Sequence, residues 1–321
     1  MSTIPAVVHA LTRASADTLL IELRHPEAEG RLPEARPGDH IDVRFGGYTR
    51  QYSLCSPATD RGRYLICVKR ERGGRGGSTA LHEGLRVADT VRISEPRSKF
   101  PLTRGSHTLL LAAGIGITPL LAMAEALWHQ GAPFDLWFYA PDRERAPLIE
   151  YIATRPYAER VHLRLSSLGQ SARTALPDAL KLAVPRAQVH VCGPAAFMEH
   201  VRASARAAGW SDGQVHQETF ALDSSAAAEL VSGDAFTVRV ASSGQAYPVP
   251  SGVSIADVLQ SNGVEVDLSC EQGICGACLV PVLAGEPDHR DEVLSAAERA
   301  ANDRMTICCS RARTAELTLD L

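Results

Sequence analysis

Residues 269–282 read SCEQGICGACLVPV and place Cys270, Cys275 and Cys278 in a C-x4-C-x2-C pattern. A fourth cysteine, Cys308, follows after 29 intervening residues. Four thiolates with this spacing hold the two irons and two sulfides of a plant-type [2Fe–2S] centre. Because three ligands lie in one short loop and the fourth lies far along the chain, the pattern predicts a domain that folds around the cluster.

The same cysteines allow two other interpretations. A structural zinc site with four cysteines usually has two C-x2-C pairs, and this chain has only one, Cys275 with Cys278. Ordinary buried thiols are the third interpretation, but three cysteines within nine residues argue against it. Gly273 and Gly276 lie between the ligands, where the missing side chain lets backbone N–H groups approach the sulfides. The spacing favours a cluster that carries one electron at a time, near about −400 mV.

Two adjacent cysteines, Cys308 and Cys309, compete for the fourth ligand position. Neighbouring residues of a strand point to opposite faces, so only one of them can face the cluster. The 29-residue spacing favours Cys308. Cys309 is then expected to be a thiol without a ligand role.

The length and composition of the chain indicate an ordinary globular protein of several domains. Its 321 residues are enough for two or three domains, and its hydrophobic content is 45%. Cys55, Cys67 and Cys192 are scattered in apolar surroundings, a pattern that suits a reducing compartment better than a disulfide framework. Residues 1–15 lack a charged start followed by a long apolar run. We therefore expect a cytoplasmic protein without a signal peptide.

Residues 108–124 contain no charged side chain and raise the possibility of a membrane helix. Gly114, Gly116 and Pro119 interrupt the stretch. It is also shorter than the roughly 20 residues that a membrane span needs. A strand, a turn and a buried helix are the better prediction, and no membrane association is expected.

The net charge of −4 is distributed unevenly along the chain. From residue 234 onward, 13 acidic and 6 basic residues give −7, which leaves +3 for residues 1–233. An acidic cluster domain suggests docking onto a basic patch of a protein partner. A merely soluble acidic surface explains the charge equally well. Nothing in the sequence indicates a nucleic acid partner.

The order of predicted elements divides the chain into three domains. Residues 1–104 alternate short β-rich runs with turns, which predicts an antiparallel β-barrel. Residues 105–222 alternate strands with helices, which predicts an α/β domain with a parallel sheet. Residues 223–233 are mostly small and polar and are predicted to form a linker. Residues 234–321 read as a hairpin, a helix, the cluster loop and closing strands, an α+β domain.

Two glycine-containing turns in the α/β segment are candidates for a nucleotide site. Residues 114–119, GIGITP, follow a strand and open a helix, so Gly114 and Gly116 permit a tight turn against a pyrophosphate. Pro119 replaces the third glycine of the full fingerprint, and simple packing of helix on strand remains an alternative. Residues 192–194, CGP, end another strand, where the nicotinamide end of a nucleotide can lie. A small buried residue is the alternative role for Cys192.

Two segments of the barrel region are candidates for a flavin site. Arg50-Gln51-Tyr52-Ser53 offers a guanidinium for a phosphate, a ring for the flavin and a hydroxyl for a ring nitrogen. Residues 73–79, GGRGGST, run into a helix whose free N–H groups form a second phosphate cradle. An exposed strand face and a surface turn are the alternatives.

The order of these motifs resembles that of the phthalate dioxygenase reductase and vanillate O-demethylase reductase family. The R-x-Y-S element, the Gly-Gly-Ser turn, A-G-I-G-I-T-P, C-G-P and the C-terminal cluster motif follow one another over nearly the whole chain. Members are single-chain NADH-dependent reductases of Rieske-type oxygenase systems. The resemblance implies an FMN-binding β-barrel, an NAD-binding domain and a C-terminal plant-type ferredoxin domain with a β-grasp fold.

The resemblance also implies a role for each matching residue. The expected FMN ligands are Arg50, Tyr52, Ser53, Gly77 and Ser78, with Phe220 of the segment Glu218-Thr219-Phe220 covering the flavin ring. The expected nucleotide ligands are Gly114, Gly116, Thr118, Cys192, Gly193 and Pro194. The expected cluster ligands are Cys270, Cys275, Cys278 and Cys308.

These cofactors form a chemically sensible sequence of electron carriers. NADH delivers two electrons as hydride, a [2Fe–2S] centre accepts one, and a flavin can mediate between them. No strong acid or base is required, so we assign no catalytic residue among the 11 histidines. Asp142 follows a strand and can bond a ribose hydroxyl while repelling a 2′-phosphate, which favours NADH, although Arg143 and Arg145 weaken this argument.

Three functions are compatible with the motifs. The first is a monomeric reductase that docks transiently on a separate Rieske-type oxygenase. The second is the same reductase serving a cytochrome P450. The third is a ferredoxin-like carrier or redox sensor that no longer oxidises NADH. The retained Arg50, Ser53, Gly114, Gly116 and Gly193 argue against the third.

Overall fold

A computed structural model describes residues 3–220 and 229–321. The chain forms two compact units, Met1–Thr219 and Phe220–Leu321. The first unit contains an antiparallel sheet followed by a parallel sheet, and the second contains a smaller mixed sheet. The three predicted fold types are therefore confirmed.

The first sheet has seven antiparallel strands and forms a β-barrel. Its order is β4-β3-β6-β1-β2-β5, with β7 paired to β3. An isolated antiparallel bridge between Leu54 and Ile66 joins the end of β4 to β5 and so connects the two edges. The strands are β1 Ile4–Ser15, β2 Thr18–Arg24, β3 Asp39–Phe45, β4 Tyr48–Ser53, β5 Tyr64–Lys69, β6 Thr90–Ile93 and β7 Arg97–Ser98.

Alternating apolar residues fill the interior of this barrel. Side chains of successive strand residues point to opposite faces, and in β2 the alternate residues Ile21 and Leu23 are almost fully buried. The helix Gly77–Gly84 contributes Leu81 to the same core, and Leu85 follows it there. Burying each such side chain contributes roughly 1.5–3 kcal/mol. The helix is thereby held with its first residues beside β4.

The second sheet has five parallel strands in the order β10-β9-β8-β11-β12. The chain proceeds outward from β8 on one side and then returns to β11 on the other, which makes the carboxyl edge between β8 and β11 the topological switch point. The strands are β8 Thr108–Ala113, β9 Phe134–Ala140, β10 Val161–Leu165, β11 Gln188–Cys192 and β12 Val215–Glu218.

Helices flank this parallel sheet. The α-helices are Ile117–His129, Ile149–Ala153 and Ala195–Ala207, and the short 3-10 helices are Gly114–Gly116, Ala158–Arg160, Ser166–Leu168, Asp178–Leu180 and Asp212–Gln214. The uncharged residues 108–124 form buried β8, the glycine turn and the start of the first helix, as predicted. Within residues 3–220 and 229–321, no helix has the length and apolar character needed to cross a bilayer.

The second unit has a five-stranded mixed sheet in the order β14-β13-β19-β15-β17, and β16 pairs with β18. Strands β13 and β19 run parallel at its centre. The strands are β13 Phe236–Val240, β14 Ala246–Val249, β15 Leu279–Ala284, β16 Pro287–Asp288, β17 Arg304–Thr306, β18 Arg311–Ala312 and β19 Glu316–Leu319.

Within residues 234–321, the structure has two helices beside the mixed sheet, and only one was predicted. The helix Ile255–Ser261 lies in the predicted segment, and the Ser254 side chain accepts a hydrogen bond from the Asp257 N–H at its start. The helix Ala296–Ala301 was missed. Its sequence signal is the capping box in which Ser295 and Glu298 bond each other's backbone N–H groups.

The predicted boundary at residues 104 and 105 falls inside one compact unit. The backbone of the barrel bonds the α/β region directly, since Ala16 N–H donates to the Glu144 carbonyl at 2.9 Å and Leu148 N–H donates to the Ala14 carbonyl at 3.1 Å. Of the predicted linker, residues 223–228 lie outside the described residues. Division into domains at residues 104, 222 and 233 remains a prediction.

Candidate flavin, nucleotide and iron–sulfur sites

Arg50 lies against the first turn of the helix Gly77–Gly84. Its Nη2 donates to the Arg75 carbonyl at 3.0 Å, and its guanidinium lies 5.5 Å from the centre of the Tyr48 ring. A Cβ atom added at Gly77 would lie 2.6 Å from Arg50 Cγ. The fold therefore brings together a cation and a glycine that are 27 residues apart in sequence.

The start of this helix suits an anion. Gly76 has φ +79° and precedes the first helical residue, and no side chain caps the helix N-terminus. Free N–H groups and the helix dipole attract a phosphate at such a position. Ser78 contributes to the geometry because its Oγ accepts the Glu71 N–H at 3.1 Å and closes the glycine loop. Arg50, Gly77 and Ser78 thus fit a flavin phosphate.

Ser53 lies at the carboxyl end of β4 and contacts the parallel sheet. Its Oγ donates to Oε2 of Glu218, the last residue of β12, at 3.4 Å. Burial raises the pKa of Glu218 to about 8, although Ser53 and Lys99 act in the opposite direction. The carboxyl is therefore mostly neutral at pH 7. Sequence reasoning missed Glu218 as a site residue, since its unusual proton affinity depends on burial.

Two further groups beside Ser53, His40 and Tyr52, are uncharged, although the cations Arg97 and Lys99 lie close enough to act on His40. His40 faces Ser53 across the β3–β4 ladder and is fully buried. Burial, followed by the nearby Arg97 charge, lowers the pKa of His40 to about 3, so its ring is neutral. Tyr52 is half-buried, and burial raises the pKa of its phenol. His40, Tyr52 and the protonated Glu218 are thus neutral polar groups, which suits a flavin ring.

Cys192 ends β11 in the neighbourhood of Glu218. Its side chain is completely buried, and burial and then the charge of Glu218 raise the pKa of the thiol. Cys192 is therefore a neutral thiol at ordinary pH, unlike the thiolates that act as nucleophiles. Its position at the carboxyl end of a strand matches the predicted nicotinamide end of the nucleotide site.

The glycine turns meet at the carboxyl edge of β8 and β11. A Cβ atom at Gly116 would overlap the Cys192 carbonyl, and one at Gly193 would lie 2.9 Å from Ala113 Cβ. Gly114 has φ +54° and would meet no atom within 4 Å. The first two glycines thus permit close packing of the strands and helices, while Gly114 leaves open space where a pyrophosphate can approach.

Thr118 and Pro194 support this edge. Thr118 is buried, and its Oγ1 donates to the Ile115 carbonyl at 3.1 Å, which holds the turn that precedes the helix Ile117–His129. Pro194 is the N-cap residue of the helix Ala195–Ala207. Their assignment as nucleotide ligands remains a prediction, because in the structure both act on the backbone of the site.

Asp142 forms a hydrogen bond and an ion pair with Arg145. Its Oδ1 accepts the Arg145 N–H at 3.0 Å, and its Oδ2 lies 3.4 Å from Arg145 Nε. Arg143 instead pairs with Glu150 at 2.8 Å. A carboxylate directed at a ribose hydroxyl would therefore have to share its charge with Arg145.

Phe220, the predicted cover of the flavin ring, lies in the second unit and is half-buried.

The four predicted cluster ligands are buried and form two pairs. Cys270 interacts with Cys275, and Cys278 interacts with Cys308. The contact with Cys275 lowers the pKa of Cys270. In residues 3–220 and 229–321, no three potential ligands are placed around a single metal ion. A two-iron cluster takes two protein thiolates at each iron, so two pairs fit it.

Backbone N–H groups of the cluster loop, residues 270–278, point at these sulfurs. Gly273 N–H donates to Cys308 Sγ at 3.3 Å, and Ala277 N–H donates to Cys275 Sγ at 3.4 Å. Gly273 and Gly276 have φ +72° and +73°, a region that favours glycine. Hydrogen bonds to cluster sulfurs adjust the reduction potential.

Comparison with known families identifies a flavin domain and an iron–sulfur domain. Residues 5–101 match the oxidoreductase FAD-binding domain model. Residues 238–313 match the 2Fe-2S iron-sulfur cluster binding domain model. The chain thus contains a flavin-binding domain and a [2Fe–2S] domain.

The chain is also similar to known proteins over its whole length. It is 40% identical to vanillate O-demethylase oxidoreductase from Pseudomonas sp. (strain HR199 / DSM 7063) over 322 residues, covering 99% of this chain and 100% of that one. A solved phthalate dioxygenase reductase, described as a modular structure for electron transfer from pyridine nucleotides to [2Fe-2S], has 34% identity and a TM-score of 0.76, with coverage of 100% and 98%. An intact type IV self-sufficient cytochrome P450 monooxygenase has 34% identity and a TM-score of 0.77, covering 99% of this chain but 41% of that one.

The fold, the paired thiols and the family matches define a flavin iron–sulfur oxidoreductase that transfers electrons. The chain belongs to the family of single-chain oxygenase reductases that includes vanillate O-demethylase oxidoreductase and phthalate dioxygenase reductase. The family predicted from the order of the motifs is therefore confirmed.

Proposed function

We propose that this protein oxidises NADH, passes the electrons through FMN to its [2Fe–2S] cluster, and delivers them singly to a separate Rieske-type oxygenase. The observation that carries the proposal is the contact between Ser53 and Glu218 at 3.4 Å. It joins the end of a flavin-barrel strand to the carboxyl edge of the nucleotide sheet. A hydride donor and a flavin have to meet at such a junction.

The residues of the junction would orient the reactants, and Glu218 and Cys192 add no charge to it at pH 7. A bound flavin supplies the capacity to accept a hydride and to give up its electrons one at a time. Ser53 would present a hydroxyl to a bound flavin, while Glu218 and Cys192 are protonated at this edge at pH 7. Gly116 and Gly193 allow close packing at this edge, which supports a site there for the nicotinamide end of the nucleotide. Because transfer of a hydride between two rings needs no acid or base, the side chains would supply proximity and orientation.

FMN is the proposed flavin because Arg50 and the helix start at Gly77 provide one cradle for a terminal phosphate. Releasing the flavin by heat and separating it by chromatography tests this assignment. A single FMN peak is expected, and an FAD peak would exclude FMN as the native cofactor.

NADH is the proposed donor because Asp142 follows β9 at the carboxyl edge of the sheet and would repel a 2′-phosphate. The measurement is kcat/KM for NADH and for NADPH with ferricyanide as acceptor. A higher value for NADH is expected, and equal values contradict the proposal.

A separate oxygenase is the proposed partner, in keeping with the vanillate demethylase and phthalate dioxygenase relatives. We propose that the reductase is a monomer and that docking is transient, because a one-electron donor must bind, transfer and leave. A cytochrome P450 is the second candidate partner, since a P450 monooxygenase contains a region similar to 99% of this chain.

The decisive experiment combines the loaded reductase with each type of partner. Anaerobic mixing with NADH should first bleach the flavin and then the cluster, as followed by stopped-flow absorbance. The reduced protein should then reduce a purified Rieske oxygenase faster than a bacterial P450. A cluster that stays oxidised after flavin reduction would contradict the proposed order, and faster reduction of the P450 would favour the second partner.

A further inference from the structure

Gly273 of the cluster loop is held on three sides. Its N–H donates to Cys308 Sγ at 3.3 Å. Its carbonyl accepts the Glu292 N–H at 2.9 Å. A Cβ atom at this position would lie 2.5 Å from Cys309 Sγ, so the Cys309 side chain occupies the space that a side chain of Gly273 would need.

Cys309 is itself fixed by polar neighbours. It is 1% exposed, and its Sγ lies 3.1 Å from Thr306 Oγ1. Thr306 Oγ1 also lies 3.1 Å from Ser310 Oγ, which accepts the Arg290 N–H at 3.2 Å. A thiol that only filled space would have no need of this chain of hydroxyl contacts. The sulfur is thereby held in one position against the loop.

We propose that Cys309 is a positioning residue for the cluster: its side chain sets the distance of the Gly273 N–H from the Cys308 sulfur. A backbone donor stabilises the reduced cluster more than the oxidised one, because reduction adds negative charge to the sulfurs. A well-placed Gly273 N–H therefore raises the reduction potential. Cys309 is still predicted not to be a cluster ligand. Its proposed function is to position the Gly273 N–H.

The inference rests on the proposed function only through the presence of the cluster at Cys308. In the structure Cys308 interacts with both Cys278 and Cys309, and Cys308 is the one that accepts the Gly273 N–H of the cluster loop. Its burial also leaves no exposed surface for oxidation or for binding a metal from solution.

The test uses the full-length, cluster-loaded chain and three variants. Cys309→Ala removes the sulfur that packs on Gly273, and Cys309→Ser keeps a small group that can bond Thr306. Cys67→Ala is the control, because Cys67 is a buried thiol of the barrel in the other unit. The readouts are the cluster midpoint potential and the EPR spectrum of the reduced cluster, neither of which depends on turnover.

A more negative potential is expected for Cys309→Ala, with a smaller shift for Cys309→Ser and none for Cys67→Ala. Changed EPR g-values should accompany the shift. An unchanged potential and spectrum in loaded Cys309→Ala, or in loaded Cys309→Ser if the alanine variant does not assemble, would overturn the inference. Retention of the cluster with an unchanged potential and EPR spectrum in Cys308→Ala would overturn it too, since Cys308 would then not be a ligand. Absence of a cluster from the unsubstituted protein would instead refute the proposed function.

Discussion

The cluster loop and the flavin–nucleotide site differ in the kind of atom that each offers to its cofactor. The loop offers four cysteine sulfurs, three of which lie within residues 270–278. The flavin–nucleotide site offers mainly backbone N–H groups, glycines without side chains and a few polar groups from distant strands. The first kind of site can be recognised from spacing, whereas the second requires the fold.

This difference explains which parts of each site tolerate change. A metal–thiolate bond is a strong, discrete interaction, so the loss of one ligand removes the centre. A phosphate cradle distributes its binding free energy over several hydrogen bonds, each worth about 0.5–3 kcal/mol. We therefore expect abrupt loss in the cluster loop and graded loss in the flavin–nucleotide site.

The largest effect is expected for Cys275→Ser. The variant should lose the [2Fe–2S] absorbance and EPR signal completely, because Cys275 is one of the paired thiols. NADH should still reduce its flavin at a normal rate, since the hydride reaches the flavin before the cluster is involved. Visible absorbance and stopped-flow kinetics measure both. If a folded, flavin-loaded variant failed to accept hydride, the two regions would not be functionally separable.

Arg50→Ala should cause a graded loss of flavin. A charge-assisted contact to a phosphate contributes about 1.5–3 kcal/mol, so the flavin dissociation constant should rise about 10- to 100-fold. Arg50→Lys is the matched control and should lose less, because it keeps the charge but not the planar fork. Titration of the apoprotein with FMN checks both variants. Equal affinity in Arg50→Ala and the unsubstituted protein would remove Arg50 from the phosphate site.

Arg145→Ala should sharpen the preference for NADH. In the structure Arg145 bonds Asp142 and shares its negative charge. Without this guanidinium, the carboxylate repels a 2′-phosphate more strongly. The ratio of kcat/KM for NADH over NADPH should increase about fivefold, which corresponds to roughly 1 kcal/mol. Arg143→Ala is the control, because Arg143 pairs with Glu150 instead.

Particular residues show how far the sequence could predict this molecule. The cluster cysteines were evident because their spacing reflects covalent geometry, and β8 to β11 were evident because buried parallel strands alternate with helices. The strand β12 and the role of Glu218 could not be predicted from the sequence, since Val215–Glu218 has no strong apolar pattern. The closeness of Arg50 and Gly77 could be expected only from the family resemblance, because it depends on how β4 meets a helix 27 residues later.

The pKa of Glu218 makes a prediction about pH. The carboxyl holds its proton to about pH 8 when folded, against an ordinary value of 4.5. Between these values the unfolded chain binds fewer protons than the folded chain, so this residue reduces stability as pH rises from about 4.5 to about 8. Glu218→Gln should remove that dependence, and its rate of flavin reduction by NADH should stay flat above pH 8. In the unsubstituted protein this rate should fall a few-fold there.

Thermal unfolding and stopped-flow reduction across pH 5–9 measure these two effects. Glu150→Gln is a suitable control, because Glu150 lies in the same unit, is exposed and pairs with Arg143 instead of a histidine. Identical pH profiles for Glu218→Gln and the unsubstituted protein would show that the carboxyl is ionised throughout. The junction would then carry a negative charge next to the proposed hydride path.

The smallest effect is expected for charge on the surface of the cluster domain. Glu292 is exposed, and its N–H bonds the carbonyl of Gly273 in the cluster loop. If the acidic domain is steered towards a basic oxygenase surface, Glu292→Gln should slow oxygenase reduction about two- to threefold at low salt, as expected for one exposed charge pair. The effect should disappear as ionic strength rises, because the Debye length falls to about 10 Å at 0.1 M.

Asp320→Asn makes the same change of charge at the exposed C-terminal end and should have less effect. Reduction of ferricyanide by NADH should remain normal in both variants. If oxygenase-coupled rates ignored both substitutions and the salt concentration, docking would depend on contacts other than charge, and the acidic surface would serve only solubility.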